Sequence, residues 1–283
     1  MNEPVSSTQY RFSYQIRSAK DLPADFHLPE QNLAFEIGIF VPQDRSPDPR
    51  KGNAHPARIF LLQKECLTVY AHPTANQAAV HIDMHDLKMV ELGRFLLLGW
   101  VKLSTSLTNH TFFFNSESGH TVDHLLREIR RTWLPINASM EFSLDESPAT
   151  AAVLTFKFQK RLDRELDIDE TVRKTWFMPP EKIRQRKNLF RKVVHIPGDL
   201  LAITSRRVLW ITDRERGGET RELYGSIARY APLSQVKRIS LDIQKLQVKF
   251  QVVPSWSIPV HRIAKSAEQM RKRANTEQAA DIV

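Results

Sequence analysis

Between positions 182 and 192 the chain reads KIRQRKNLFRK, with six basic residues and no acidic one: Lys182, Arg184, Arg186, Lys187, Arg191 and Lys192. Cations gathered on one short segment bind phosphates or carboxylates through charge-assisted hydrogen bonds, and arginine adds a bidentate fork. Arg206 and Arg207 follow on the next predicted turn and would converge on the same mouth. Ile183, Phe190 and Val194, or Leu189 and Val193, fall at helical spacing opposite the cations. That spacing predicts a short basic amphipathic helix, which either lies on an anionic membrane surface or packs its apolar stripe on its own domain with the charges solvated.

A second constellation is His81, Asp83 and His85 in VHIDMHD, alternating on a predicted strand and so sharing one face. Two imidazoles and a carboxylate form a ligand set for a divalent metal, which makes the three a weak metal candidate and a metal-dependent enzyme the last alternative. Val80, Ile82 and Met84 form the opposite face, and ordinary half-buried alternation produces the same pattern. His120 and His124 stand one helical turn apart beside Asp123, but Thr121 occupies the place of the glutamate in a zinc-protease helix, so a solvated helix face is expected. His195, Asp199 and Ser205 have no nucleophile elbow around them. Gly217 and Gly218 read as a turn, and the chain holds neither GxGxxG nor GxxxxGK[ST], so no cofactor is expected. Trp100 and Trp210 read as core, with Trp176 and Trp256 at strand ends. The expectation is a binding protein, not an enzyme.

The elements that position these residues come from a chain of 283 residues, 41% hydrophobic and 26% charged. That length and balance predict two ordinary domains, each with its own core. The longest strongly apolar stretch, 95–101, falls far short of the roughly 20 residues of a membrane-spanning helix. The first residues, MNEPVSSTQYRF, lack a basic segment followed by an apolar run, and Cys66 is the single cysteine. Both features predict a cytoplasmic protein, with peripheral attachment to the inner membrane surface left open. A formal charge of +9 favours a protein partner with an acidic face, an anionic lipid headgroup or nucleic acid, without choosing among them.

An internal repeat organises the chain. The segment 28–42 is echoed by 166–180, each ending an apolar run at proline, and the predicted hairpin 58–72 by 199–213. Residues 84–103 align without a gap on 233–252, at an offset of 149 residues. Each copy then closes on a helical pattern, 120–134 and 259–275; in the first, Val122, Leu125, Leu126 and Ile129 share a face. Phe12, Tyr14 and Ile16 alternate in the lead-in to the first copy as Leu154, Phe156 and Phe158 do before the second, which predicts a strand in both places. The repeats span 8–135 and 150–275, joined by a linker at 136–149.

Within GDLLAITSRRVLWITD (198–213) and YAPLSQVKRISL (230–241), Thr204, Arg207, Pro232, Leu233 and Val236 resemble the hairpin and following segment of bacterial pleckstrin-homology-like (PH-like) and GRAM-like domains. The first copy has Gln63, Lys64, Glu65 and Cys66 at the corresponding turn and joins the resemblance through its alignment to the second. The resemblance implies a mainly β fold of two bent-sheet barrels, each closed by a C-terminal helix, and a role in binding. It also implies that the basic segment 182–192 occupies the loop with which eukaryotic PH domains grip phosphoinositide headgroups.

Overall fold

The computed structural model describes residues 12–26, 28, 35–43, 56–95, 98–134, 154–187, 190–213, 225–241, 245–250 and 256–259. The chain divides into two compact units, Met1–Pro135 and Ile136–Val283. The fold is mainly β.

Unit one opens with β1 (Tyr14–Ile16), β2 (Ile37–Val41), β3 (Arg58–Gln63), β4 (Cys66–Ala71) and β5 (Val80–Asp83), an antiparallel sheet in chain order. A turn at 84–86, closed by the Leu87 N–H on the Met84 carbonyl at 3.3 Å, leads into a second meander. Its strands are β6 (Leu87–Phe95), β7 (Leu98–Thr105) and β8 (Asn109–Asn115). The two layers meet through Phe60 and Phe112, edge to face with centroids 5.3 Å apart. Helix α1 (Gly119–Trp133) buries Val122, Leu125, Leu126 and Ile129 against them, as its spacing predicts. Each such side chain contributes roughly 1.5–3 kcal/mol. The space they enclose with Ile39, Phe60, Leu103 and Phe112 is about 20 Å³, an apolar void the size of one water and no ligand chamber. Trp133 Nε1 donates to the Leu87 carbonyl at 2.7 Å and ties the end of α1 to the start of β6.

The first sheet is covered on its other face too. Ile16 and Phe26 pack there on Phe40, Ile59 and Leu61, which is why β2 reads IGIFV with no alternation and is buried throughout. Two glycines in the second meander admit aromatic rings: a Cβ at Gly93 would overlap Trp100, and one at Gly99 would overlap Phe114, its partner in register.

Unit two begins with α2 (Phe156–Glu165), where period-two alternation had predicted a strand. Phe158, Leu162 and Glu165 are buried at spacings of four and three while Phe156 is exposed, so the 3.6-residue period governs. Strands β9 (Val172–Met178), β10 (Glu181–Lys187), β11 (Phe190–Ile196), β12 (Asp199–Thr204), β13 (Arg207–Thr212) and β14 (Gly225–Pro232) follow, then β15 (Val236–Leu241), β16 (Lys245–Phe250) and β17 (Trp256–Pro259). β9, β12, β13 and β14 pair in that order, β15 to β17 form a three-stranded meander, and β10 and β11 pair only with each other among the described residues. All six residues of β12 and of β13 are buried. Phe158 of α2 packs on Phe177 on one face at 5.0 Å, and Trp256 of β17 lies 5.7 Å from Trp210 on the other.

Among the described residues neither unit closes its strands into a barrel, and this corrects the predicted architecture. In unit one the turn at 84–86 carries the chain from one layer to the other, with Met84 and Leu87 both buried, so the layers close by side-chain packing and not by a continuous ladder. The helix predicted over 259–275 and the linker at 136–149 lie outside the described residues.

Candidate functional site

The basic segment is a β-ribbon, not the amphipathic helix its periodicity predicts. In β10 and β11 Lys182 stands opposite His195, Arg184 opposite Val193, Gln185 opposite Lys192, Arg186 opposite Arg191 and Lys187 opposite Phe190. Residues paired across an antiparallel ladder share a face. The register therefore places Lys182, Arg184, Arg186 and Arg191 on one face with Val193 and His195, and Ile183, Phe190, Val194 and Ile196 on the other with Lys187 and Lys192. The helical stripe of Ile183, Phe190 and Val194 is equally a strand pattern once the chain reverses after Lys187, since each of the three falls on the same side of the ribbon.

Arg206 and Arg207 have a different task from the other six, and this corrects their place in the predicted mouth. The Arg207 guanidinium is fully buried; its Nε donates to Glu170 Oε1 at 2.9 Å and its Nη2 to Glu170 Oε2 at 2.7 Å. Nη2 also donates to the Glu165 carbonyl, one of the unpaired carbonyls at the end of α2, and the guanidinium lies 4.7 Å over the Tyr230 ring. Arg206 pairs with Asp169. Thr204 completes the cluster: its hydroxyl lies 2.5 Å from Glu170 Oε1 and accepts the backbone N–H of Arg207 at 3.0 Å. The Thr-x-x-Arg turn thus anchors the hairpin to the turn after α2. The acidic segment DIDE at 167–170, ahead of the Arg206–Arg207 pair at the hairpin turn, is the signal in the sequence that could have revealed it.

The other end of α2 is fixed in the same way. Buried Asp213 pairs with Lys157 at 3.0 Å and with Arg161, whose Nη2 donates to the Gly225 carbonyl at 2.8 Å. Burial pushes the Arg161 guanidinium down to about 10.

Burial bears unequally on the two signs of charge among the described residues of unit two. Residues 1–135 hold 14 basic and 14 acidic residues, and residues 136–283 hold 27 and 18, so the whole excess of +9 belongs to the second unit. There, among the described side chains, Glu165, Asp167, Glu170, Asp199 and Asp213 are buried, and only Asp163 and Asp169 are exposed. Lys157, Lys160, Arg164, Arg173, Lys237, Arg238 and Lys249 are exposed. Among the described side chains, the surface of unit two is therefore more basic than composition alone implies.

The histidine constellation does not assemble. His81 Nδ1 lies 3.1 Å from Thr68 Oγ1, whereas His85 Nε2 lies 2.7 Å from Glu65 Oε2 across the β3–β4 turn; Asp83 accepts the His85 backbone N–H at 2.8 Å. Among the described residues no group of three or more His, Cys, Asp or Glu is arranged to hold a metal. The hydrogen bond and charge of Glu65 raise the His85 pKa above its ordinary value. A raised folded-state value means that the pair's support for the turn is full below the unfolded value and lost as pH rises through the folded one. An NMR titration of His85 is expected to show a midpoint above 6.5 that falls in Glu65→Gln; an unmoved midpoint would contradict the pairing.

His120 is exposed and His124 half-buried on α1. Asp199 accepts Trp210 Nε1 at 2.9 Å and Ser205 Oγ accepts the Thr171 N–H at 3.2 Å, so neither is arranged for nucleophilic chemistry with the other. Trp176 and Trp256 are buried, and Gly217 and Gly218 lie outside the described residues. No helix among the described residues is long and apolar enough to cross a membrane. No protein-family model, curated protein or solved structure matches the chain.

Proposed function

We propose that the chain is a non-enzymatic binding protein of two PH-like modules, the second of which engages an anionic surface through the β10–β11 ribbon. The observation that carries this reading is the charge of unit two: the whole excess of +9 falls there, and among its described side chains five of seven carboxylates are buried while seven lysines and arginines are exposed. A surface of one sign attracts a partner of the other and speeds its approach. A protein with an acidic face, an anionic lipid headgroup layer and a nucleic acid all present suitable carboxylates or phosphates.

The tandem reading draws support from strand order. Each unit runs a meander that ends on four consecutive antiparallel strands, β2 to β5 or β9, β12, β13 and β14, and continues into a three-stranded one. β6 opens at Leu87 and β15 at Val236, the same 149-residue offset as the aligned segments. The ribbon then occupies the connection between the first two strands of the second module, the loop where the PH resemblance places anion-binding cations. Two modules on one chain also let two modest contacts act together through high effective concentration.

Charge reversal tests the reading. The variant Arg184→Glu, Arg186→Glu, Lys187→Glu and Arg191→Glu is expected to leave immobilised heparin at clearly lower salt than the parent chain and to stop sedimenting with phosphatidylserine vesicles. Unchanged behaviour on both supports would remove the ribbon from the account.

A further inference from the structure

We propose that the anionic surface is double-stranded DNA, and that the ribbon seats its Lys182, Arg184, Arg186 and Arg191 face in the major groove. This rests on the polyanion-binding reading above and names its occupant.

The dimensions come from the ladder. Seven residues in each strand give a ribbon about 24 Å long, and its two strands lie about 4.8 Å apart. With side chains added, such a ribbon fills a groove about 12 Å wide, the major groove of B-form DNA, and is too broad for a minor groove of about 6 Å. The A-form major groove of double-stranded RNA is deep and narrow and excludes it.

The chemistry of the face points the same way. Arg186 stands directly opposite Arg191, and like charges facing each other across a ladder are destabilising unless an anion lies between or beside them. A duplex supplies one phosphate charge per ~1.7 Å of its axis, on both walls of the groove that the ribbon would enter. Three of the four cations on the face are arginines, whose forks match both phosphate oxygens and the O6 and N7 edge of guanine. The face carries Val193 and His195 as its remaining members and no Phe, Tyr or Trp, so it lacks the stacking platform that single-stranded nucleic acid requires. The outward lysines and arginines elsewhere on unit two add attraction that does not depend on sequence.

The test is fluorescence anisotropy of the full chain with a labelled 24-base-pair duplex DNA, a double-stranded RNA of equal length, the single strand, and phosphatidylserine vesicles. Duplex DNA is expected to bind at least tenfold more tightly than the RNA or the single strand. Its affinity is expected to fall by about a thousandfold between 50 and 200 mM salt, the loss for roughly six phosphate contacts. Arg184→Gln, Arg186→Gln and Arg191→Gln together should lower the slope of log affinity on log salt by about 2 to 3. Lys20→Gln with Arg127→Gln, on exposed positions of the charge-neutral first unit, should leave it unchanged. Equal melting temperatures of the variants show that the fold is intact. Equal affinity for duplex RNA would overturn the groove seat, as would a salt slope untouched by the triple variant. Binding to vesicles or heparin without binding to the duplex would overturn the DNA assignment and leave the broader function standing, whereas binding to none of these polyanions would end both.

Discussion

Arg207→Ala is expected to destabilise unit two by about 3–5 kcal/mol, measured as a fall in its thermal or urea midpoint. Arg207 and Glu170 are each fully buried and form a two-point pair. Removing one member of such a pair leaves the other charge buried without a partner, and that loss is of this size. Arg207 also holds the terminal carbonyl of α2, so the helix end would lose its cap in the same variant. The companion double variant Arg207→Met with Glu170→Leu removes both charges and is expected to recover most of the loss, because paired burial gains little over well-packed apolar side chains. A loss below about 1 kcal/mol in Arg207→Ala would show that the cluster is solvated and does not anchor the hairpin.

The same pair shows where sequence reading stops. Composition counts Arg206 and Arg207 among the cations, but only their neighbours in space decide whether a cation faces solvent or a buried carboxylate. The turn motif was visible in Thr204 and Arg207; its partner Glu170 lies 37 residues before Arg207 and reaches it through the fold. By contrast, the hairpins 58–63 with 66–71 and 199–204 with 207–212 were legible because two apolar runs flank a short polar turn in each, and the face of α1 because it repeats the helical period over the whole element. The ribbon was not legible because Ile183, Phe190 and Val194 satisfy the helical period as well as the two faces of a hairpin, and Asn188, a turn-favouring residue in the middle of the run, is a single weak signal against six cations and a helical stripe. The metal candidate failed for a simpler reason: a shared strand face sets direction, whereas His81 and His85 find nearer partners in Thr68 and Glu65.

The start of unit two gives a test of period against period. If 154–158 were a strand, Phe156 and Phe158 would share a face and matter equally. In α2 they separate: Phe158 is fully buried against Phe177, and Phe156 is 78% exposed. Phe158→Ala is therefore expected to cost about 3–5 kcal/mol, the range for truncating a buried ring that leaves a cavity. The site has little means to collapse, since the Phe158 ring fills the space at Gly198, where an added Cβ would come within 2.9 Å of it. Phe156→Ala should stay within about 0.5 kcal/mol of the parent. Hydrogen exchange of peptides from β12 and β13 reads both variants inside unit two without requiring the whole chain to unfold as one. Equal loss of protection in the two variants would restore the strand and remove α2 from the sheet face it covers.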